Sequence, residues 1–503
     1  MPNLVQMVVA TYGGFRAGAV VVMNNPLYTD RDLEYQFNDS GSTLLVSLDL
    51  LVPRMMNLRR RTRIGKIISC HINDYLPAAL KHVFPLLKRG MHLKTPDDPN
   101  VFEFTDLLAE HPPTTKPYSS TWDDTACLLY TGGTTGVSKG VQLTHGNLSC
   151  NVQQATSWFP DFKPGQELVV GCLPFFHSFG LTTVMNVAIF YGYGNILIPK
   201  PEAKAILEAI SKYKATYIPA VPTIYSAMVN FPKLKKYDLT SLRACFSGGA
   251  ALPMETIRSF EKLTGAQICE GYGLTESSPV THINPYGPTG KRVGPKGSWA
   301  AVSPSGSASK TKPGTIGLPV SNTEAKLVDV ADYTKEIMEP GVPGELCIKG
   351  PQVMKGYNNK PDETAAVLKD GWLLTGDIAI FDEEGYFTIV DRKKDMIISG
   401  GFNIYPRDVD EVLFSHPKIL EACAIGVPDA YSGERIKAFV VLKPGEKSSI
   451  PEIIDYCKKN LVKYKVPKYV EFVDDLPKSA IGKILRKELR RRERAKTPKK
   501  DEK

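Results

Sequence analysis

Short apolar runs rich in β-branched residues alternate with amphipathic helical segments along most of this chain. Four such runs lie at residues 43–48, 167–174, 215–222 and 323–330. Residues 201–214, PEAKAILEAISKYK, are typical of the helical segments between them. Because strands that alternate with helices usually form layered sheets, this pattern predicts an α/β fold with largely parallel strands.

The chain is too long for a single hydrophobic core. Its 503 residues predict about three lobes of roughly 150 residues each. The pattern changes at residues 382–394, DEEGYFTIVDRKK, which predict a hairpin strand followed by a charged segment. A helix from Pro406, strands at 420–427 and 437–443 and a helix near Pro451 then predict a small α+β unit. We therefore expect a large domain over residues 1–390, a hinge over 391–394 and a small domain over 395–503.

Cysteine, histidine and apolar patterns exclude several classes of protein. The nine cysteines form no C-x-x-C pair, which indicates free thiols in a reducing compartment. The eight histidines show no ligand spacing, so no zinc site is expected. No apolar run approaches the roughly 20 residues that cross a bilayer. These patterns favour a cytoplasmic protein.

Two segments stand apart in composition. Residues 285–314 are rich in Gly, Pro, Ser and Lys and contain no acid, which predicts a mobile surface loop. Residues 486–503 carry ten Lys or Arg against four Asp or Glu within a chain of net charge +9. A solvated helix and tail is the favoured interpretation, and peripheral contact with an anionic inner membrane surface is the alternative. Nucleic-acid binding is not expected, because no aromatic interleaving accompanies the charge.

The segment YTGGTTGVSKG, residues 130–140, lies between predicted strands at 126–130 and 141–144. It is not a Walker A loop, because Gly140 rather than Ser or Thr follows Lys139. Backbone N–H groups turned by glycine, several hydroxyls and one ammonium suit a polyphosphate. By itself the segment is equally compatible with a Gly/Ser/Thr hairpin turn.

Six further segments accompany this loop in a fixed order. They are LPFFHSFG (173–180), SGGAALP (247–253), EGYGLTESSPVTH (270–282), GELCIKGPQVMKGY (344–357), WLLTGDIAIFDEEGYFTIVDRKKDMIISGGFNIYP (372–406) and LPKSAIGKILRKELR (476–490). Together with the loop they resemble the adenylate-forming superfamily of acyl-CoA synthetases, peptide-synthetase adenylation domains and firefly luciferase. The resemblance covers the chain to about residue 490, although relatives usually carry some tens of residues before its first segment.

This resemblance implies a fold and a reaction. The fold is a large N-terminal domain of layered β-sheets and helices with a small mobile α+β C-terminal domain. The reaction is ATP- and Mg²⁺-dependent activation of a carboxylic acid to acyl-AMP, followed by transfer to coenzyme A with release of AMP. Positioning and charge stabilisation carry such chemistry, so no enzyme nucleophile is required.

The resemblance also assigns roles to individual positions. Those expected to bind the nucleotide phosphates are Thr131, Gly132, Gly133, Thr134, Thr135, Ser138 and Lys139. Others expected around the nucleotide are Gly248, Gly249, Ala250, Gly271, Tyr272 (stacking on adenine), Gly273 and Thr275 (contacting the α-phosphate). Glu276 is expected to hold Mg²⁺, a hard cation that suits one carboxylate with phosphate oxygens and water. Taken singly, Tyr272 is more typical of a core aromatic and Glu276 of a solvated acid.

The remaining roles lie near the predicted hinge. Asp377 and Arg392 are expected to bind the ribose, and His177 to line the junction between acyl pocket and phosphates. Lys483 is expected to reach the reacting carboxylate and α-phosphate from the small domain, although composition alone indicates a surface lysine. Lys394 is the expected pivot of a domain rotation, which brings the Gly400–Gly401 segment to the coenzyme A tunnel.

The acid itself is less constrained. The expected pocket segments, 180–187 and 247–252, are small or apolar and carry no charge for a substrate ammonium. This argues against an amino acid but does not separate a fatty acid from an aryl acid. Segments such as YTGGTTGVSKGVQLTHGNL most resemble bacterial medium- to long-chain fatty-acyl-CoA ligases. A fatty acid is therefore the first candidate substrate. An aryl-acid ligase and an enzyme that loads a carrier protein are the alternatives.

Overall fold

The computed structural model describes residues 1–113, 118–131, 138–286, 300–302, 308–399, 402–429, 431–479 and 482–496. The α-helices are Val5–Arg16, Asp30–Ser40, Val52–Arg59, Ala78–Leu87, Phe104–Glu110, His145–Ser157, Ser178–Gly180, Val187–Tyr191, Ala203–Tyr213, Pro222–Val229, Met254–Thr264, Pro361–Val367, Pro406–Phe414, Ile450–Asn460 and Arg486–Lys496. A π-helix spans Leu181–Asn186. Short 3₁₀ helices span Asp49–Leu51, Leu234–Lys236, Thr275–Ser277 and Lys463–Lys465. Within these described ranges, no helix combines the length and apolar character needed to cross a bilayer.

A seven-stranded sheet forms the centre of the molecule. In spatial order its strands are Leu318–Pro319, Val280–Ile283, Gln267–Gly273, Ala244–Ser247, Tyr217–Ala220, Leu168–Gly171 and Gly194–Leu197. The last five are parallel, as the alternation of strands with helices predicts. Val280–Ile283 pairs antiparallel with both of its neighbours, Gln267–Gly273 and Leu318–Pro319.

Two smaller sheets belong to the same half of the chain. A four-stranded sheet orders Val21–Met23, Thr125–Thr131, Lys139–Thr144 and Gly356–Tyr357. A three-stranded parallel sheet orders Leu44–Leu48, Lys66–Cys70 and Val101–Glu103. The predicted strands at 43–48, 126–130 and 141–144 are therefore confirmed, with ends shifted by up to two residues.

The prediction of largely parallel sheets is wrong for residues 324–392. A six-stranded antiparallel sheet orders Glu336–Ile337, Glu324–Val328, Gly344–Lys349, Trp372–Phe381 and Leu368–Lys369, and Phe387–Arg392 pairs with the long strand. Several of these strands are joined by tight turns, and a parallel pair would need a long crossover. Within the predicted 285–314 loop, Ala300–Val302 and Ala308–Lys310 pair as two short antiparallel strands, and residues 287–299 and 303–307 lie outside the described residues.

The C-terminal part has its own sheet and core. Its strands Phe402–Ile404, Ile397–Ser399, Gly433–Leu442 and Ile419–Asp429 lie in that order, and Tyr469–Phe472 adds to Gly433–Leu442. A buried cluster of residues between Ile397 and Val470 packs under this sheet, separate from the large cluster around the central sheet. The predicted helices from Pro406 and near Pro451 are confirmed as Pro406–Phe414 and Ile450–Asn460.

All nine cysteines lie in described segments and all are free thiols. Eight of them are buried and Cys150 is half-buried. Burial raises the thiol pKa at every one of the nine positions. The predicted absence of disulfide bonds is confirmed.

Candidate active site

Asp377 lies on the long strand Trp372–Phe381, directly opposite Arg392 on its hairpin partner. Arg392 Nε lies 3.1 Å from one carboxylate oxygen of Asp377. The hydroxyl of Tyr272 donates to the other oxygen at 2.5 Å. Burial and the Asp377 carboxylate raise the Tyr272 pKa, so the phenol keeps its proton. Each carboxylate oxygen retains a lone pair, which leaves Asp377 able to accept two further hydroxyl donors.

The turn before Asp377 is held by hydrogen bonds to the neighbouring strand Gly344–Lys349. Thr375 Oγ1 accepts the Asp377 backbone N–H at 3.1 Å and donates to the Leu346 carbonyl at 2.8 Å. Buried Glu345 accepts the Gly376 N–H at 3.1 Å through one oxygen and the Lys393 ammonium at 2.8 Å through the other. The Glu345 carboxylate therefore connects this turn to Lys393 in the predicted hinge.

Glu276 lies on the short 3₁₀ helix Thr275–Ser277. Its Oε1 accepts the Tyr357 hydroxyl at 2.9 Å, and its backbone carbonyl accepts the Met354 N–H at 2.8 Å. Burial, and then the Glu276 charge, raise the Tyr357 pKa and keep that hydroxyl protonated. Among the described residues, no hydrogen bond engages Oε2. One uncommitted carboxylate oxygen fits Mg²⁺, which takes a few protein oxygens and keeps its other positions for phosphate and water.

Lys139 begins the strand Lys139–Thr144, opposite Thr131. Its ammonium forms an ion pair with Glu363 of the helix Pro361–Val367 and lies 4.7 Å from the ring centroid of Tyr357. Ser138 Oγ accepts a long hydrogen bond of 3.5 Å from the amide of Gln36. The predicted phosphate-binding residues Gly132, Gly133, Thr134 and Thr135 lie outside the described residues.

The predicted nucleotide glycines lie at the ends of two neighbouring central strands. Gly248, Gly249 and Ala250 follow Ala244–Ser247, and Gly271, Tyr272 and Gly273 end Gln267–Gly273. A Cβ at Gly273 would lie 2.0 Å from the Pro279 carbonyl oxygen, and one at Gly271 would lie 2.3 Å from the Phe246 ring. Close packing therefore requires glycine here, whatever else these positions bind. This crowding keeps Tyr272 in fixed register beside Asp377.

Lys483 lies on a tight turn that touches the large N-terminal part of the chain. The Ser479 N–H donates to the Lys483 carbonyl at 2.8 Å, and the Lys483 N–H donates to Ser479 Oγ at 3.2 Å. Gly482 has a φ of +77° and a Cβ there would lie 2.5 Å from Thr223 Oγ1. Glycine thus permits both the left-handed backbone and the close approach to helix Pro222–Val229.

The electrostatics show which groups surround Lys483. Desolvation, and then the Arg392 charge, lower the pKa of Lys483 to about 8, while Asp377 opposes the shift. Burial, and then the Lys483 charge, lower the pKa of His177 to about 4, so this imidazole is neutral at pH 7. Its Nδ1 accepts the Phe179 N–H at 3.2 Å. The structure therefore brings together Lys483, His177, Arg392 and Asp377, which are widely separated in sequence.

The predicted hinge is tied to the last helix. The Lys394 carbonyl accepts a hydrogen bond of 3.4 Å from Arg490, which also forms an ion pair with Asp395. Arg486 of the same helix forms an ion pair with buried Asp410. Burial, and then the nearby Arg392 charge, lower the Lys394 pKa. Gly400 and Gly401 lie outside the described residues.

Comparison with known proteins decides the family. The sequence pattern of the AMP-binding enzyme family matches residues 1–358, and that of the AMP-binding enzyme C-terminal domain matches residues 408–483. The chain belongs to the AMP-binding enzyme family. As an AMP-binding enzyme it is 45% identical to a long-chain-fatty-acid–CoA ligase of Bacillus subtilis strain 168 over 97% of this chain and 84% of that protein. It is 41% identical to the enzyme of the same name from Escherichia coli O6:H1, over 99% of this chain and 85% of that protein.

Solved structures agree with the fold. The structure of the anthranilate CoA ligase AuaEII in complex with anthranoyl-AMP superposes with a TM-score of 0.84 at 26% identity, over 99% of this chain and 87% of that one. The adenylate-forming fold predicted from the motifs is confirmed. This AMP-binding enzyme is an acid–thiol ligase of the AMP-forming type, which uses ATP, Mg²⁺ and coenzyme A.

Sequence motifs missed four residues that support the site of this AMP-binding enzyme. Tyr357, Thr375 and Glu345 lie inside the motif segments but carry no signal that separates them from their neighbours. Glu363 lies outside every motif, and nothing in the sequence indicates its pairing with Lys139. These contacts depend on the register of strands that the fold brings together.

The three-stranded sheet gathers a cluster that histidine spacing did not predict. Asp49, His71 and His92 offer ligand atoms within 4.8 Å of one another at the carboxyl ends of its strands. His71 already faces carboxylates through both ring nitrogens, Asp49 at 2.8 Å and Glu103 at 2.9 Å. Burial opposes protonation, but these two acids raise the His71 pKa overall. The geometry is that of an imidazole that bridges two carboxylates through its two ring nitrogens.

Proposed function

We propose that this enzyme activates a medium- or long-chain fatty acid to acyl-AMP and then to acyl-CoA, releasing pyrophosphate and AMP. The observation that carries the proposal is the convergence of Lys483 with the tied Asp377–Arg392–Tyr272 group. This convergence places the carboxylate of Asp377, which can accept hydroxyl donors, near the desolvated ammonium of Lys483. A nucleotide ribose and a reacting carboxylate–phosphate centre need these two groups side by side.

In the first step, an oxygen of the fatty-acid carboxylate attacks the α-phosphorus and the bond to pyrophosphate breaks. Lys483 is proposed to neutralise negative charge that builds on the carboxylate and α-phosphate oxygens. Asp377 is proposed to hold the ribose and Thr275 the α-phosphate. When bound at Glu276, Mg²⁺ supplies charge neutralisation to the leaving phosphates. His177, being neutral, lines the cleft without repelling Lys483 by charge.

In the second step, the coenzyme A thiol attacks the acyl carbon and the bond to AMP breaks. We propose that the small domain, residues 395–503, rotates about Lys394 between the two steps, because Lys483 occupies the approach of the thiol. The separate core of that domain supports rotation as a unit. The Arg490–Asp395 ion pair supports it too, because it couples the last helix to the hinge. Gly400 and Gly401 are proposed to reach the thiol tunnel after rotation.

A fatty acid is the proposed substrate for two reasons. Relatives at 41–45% identity bear the name long-chain-fatty-acid–CoA ligase. The predicted pocket segment forms the buried π-helix Leu181–Asn186, and a small cavity behind it is lined by Phe159, Phe162, Thr183 and Val187 among other uncharged residues. Such a lining offers no partner for a charged acyl group. An aryl acid is placed second because neither relative's name refers to one.

Pyrophosphate exchange with a panel of acids tests the proposal. Incubation with ATP and Mg²⁺ should give exchange with oleate and palmitate well above exchange with benzoate or cinnamate. Coenzyme A should then yield the thioester and AMP. Release of ADP and phosphate would contradict the scheme, and faster exchange with benzoate would transfer the assignment to aryl acids. Acyl transfer only to a carrier protein would identify a carrier-loading enzyme.

We also propose peripheral contact between the basic C-terminal tail and an anionic membrane. In the described helix Arg486–Lys496, however, Arg486, Arg490 and Lys496 already form ion pairs with acids of the small domain. The tail beyond this helix, residues 497–503, lies outside the described residues. Deleting these residues should lower binding to phosphatidylglycerol vesicles at low salt, and unchanged binding would exclude the tail.

A further inference from the structure

The helix Ala78–Leu87 differs from every other helix of ten or more residues in the described structure. No residue on it is buried. Leu86 and Leu87 keep 70% and 67% of their surface exposed, and Leu80 keeps 52%. Tyr75, Met91 and Leu93, which flank it, are exposed as well. A soluble protein rarely gathers this many large apolar side chains in one exposed segment.

The exposed side chains are ordered rather than scattered. Exposed Leu80, Val83 and Leu87 and half-buried Phe84 follow the i, i+3, i+4, i+7 spacing of one helix face, and exposed Leu86 lies at its edge. Lys81 and Lys88, one heptad apart, lie along the other edge of this apolar face. The helix therefore has the apolar stripe that normally packs on a core, but here the stripe is turned to solvent.

Charge adds a second, independent feature. Residues 75–96 contain four basic residues and no Asp or Glu. The four are Lys81, Lys88, Arg89 and Lys94. In the part of the chain that the structure describes, none of the four makes a salt bridge. A basic face beside an apolar face complements an anionic headgroup layer above an acyl layer.

We propose that the helix Ala78–Leu87, with its flanking basic residues, is an interfacial element that lies in the plane of an anionic bilayer. The apolar stripe inserts among the acyl chains and the basic residues contact the headgroup phosphates. A bilayer fits better than a protein partner, because the helix projects with no buried residue and lipid accepts a convex apolar surface without a matching groove. The use of this surface rests on the proposed function, since long-chain fatty acids partition into bilayers.

Vesicle co-sedimentation of the full chain tests the surface without turnover. The probes are vesicles of phosphatidylglycerol with phosphatidylcholine, and vesicles of phosphatidylcholine alone. Leu86→Glu/Leu87→Glu should weaken partitioning onto the anionic vesicles by about tenfold or more. The matched control Leu27→Glu/Met338→Glu changes two residues that are 81% and 76% exposed elsewhere. It should leave partitioning within about twofold of the parent chain.

A charge variant separates the two contributions. Lys88→Gln/Arg89→Gln should weaken binding to anionic vesicles by about tenfold and leave the weaker binding to phosphatidylcholine unchanged. Equal binding by the parent chain and the Leu86/Leu87 variant would overturn the proposal. The proposal would also be overturned if neither the parent chain nor the variant bound vesicles. It would equally be overturned if the variant no longer bound an acidic protein but still bound vesicles.

Turnover of a short, water-soluble acid distinguishes this inference from the proposed function. All variants should keep parental rates with octanoate in solution and parental melting temperatures. The Leu86/Leu87 variant should lose rate selectively on oleate presented in anionic vesicles. Vesicle binding that depends on the helix, without turnover of any fatty acid, would support the interfacial element and refute the fatty-acid assignment.

Discussion

Two lysines are expected to contact phosphates of the same nucleotide, Lys139 at the β- and γ-phosphates and Lys483 at the α-phosphate, but the regions that hold them differ. Lys139 begins a strand of the large domain, paired with Glu363 and placed over the ring of Tyr357. Lys483 sits on a turn of the small domain and, within the described residues, has no salt-bridge partner. Its pKa is lowered to about 8, chiefly by desolvation and by Arg392. Lys139 is therefore already paired with a carboxylate before substrate binds. Lys483 has no such partner among the described residues.

The difference has an energetic consequence. An anion that reaches Lys139 must replace Glu363, so much of the new attraction offsets the lost one. An anion that reaches Lys483 meets a charge that is costly to bury alone, so the gain is larger. We expect Lys139 to serve binding and Lys483 to serve the reaction.

The largest expected effect comes from Lys483→Ala. Adenylate formation should fall by about 10³-fold, the range found when a donor that stabilises transition-state charge is removed. Thioester formation from supplied acyl-AMP and coenzyme A should be unaffected. Single-turnover assays of the two half-reactions measure this, and an equal loss in both would contradict the role of Lys483.

Lys139→Ala is expected to act on binding instead. The KM for ATP should rise about 30-fold, as expected for one lost hydrogen bond to a charged group. The rate constant at saturating ATP should change little, since no bond-making role is expected for Lys139. Steady-state kinetics over a range of ATP concentrations checks this, and a loss confined to kcat would reverse the comparison.

The pH dependence should follow Lys483. Its folded pKa lies below the ordinary lysine value, so the charged form is present below about pH 8 and disappears as pH rises through that value. The kcat/KM for ATP in adenylation, which reports the free enzyme, should fall about fivefold between pH 8 and pH 9. Lys483→Arg, with lower activity throughout, should show no such fall. An identical decline in both would assign the titration to another group.

The smallest expected effect comes from Glu363→Gln. Without its competing carboxylate, Lys139 should bind phosphate more readily and the KM for ATP should fall about threefold. In the double variant with Lys139→Ala this gain should vanish. A gain that persisted in the double variant would show that Glu363 acts on ATP through something other than Lys139.

The parts of the molecule that the sequence predicted are local ones. The strands at 126–130 and 141–144 follow from apolar runs, and the helix from Pro406 follows from its first turn. The pairing of Lys139 with Glu363 could not be predicted, since it depends on how a short strand at Gly356–Tyr357 docks beside Lys139–Thr144. The strand directions of the antiparallel sheet could not be predicted either. Apolar patterning indicates where its strands lie, but the length of the turns between them decides their direction. Roles carried by motif resemblance, such as those of Asp377 and Lys483, stay predictions until the variants are measured.

The nine protonated thiols, eight of them buried, have a consequence for an enzyme that generates mixed anhydrides. Acyl-adenylates react with sulfur nucleophiles, and a thiolate on the protein's own surface would compete with coenzyme A and end as a dead acyl-enzyme. Because each cysteine stays protonated and unreactive, the enzyme avoids acylating its own side chains. This state of the cysteines also spares the catalyst from mixed disulfides with the thiol it handles at every turnover.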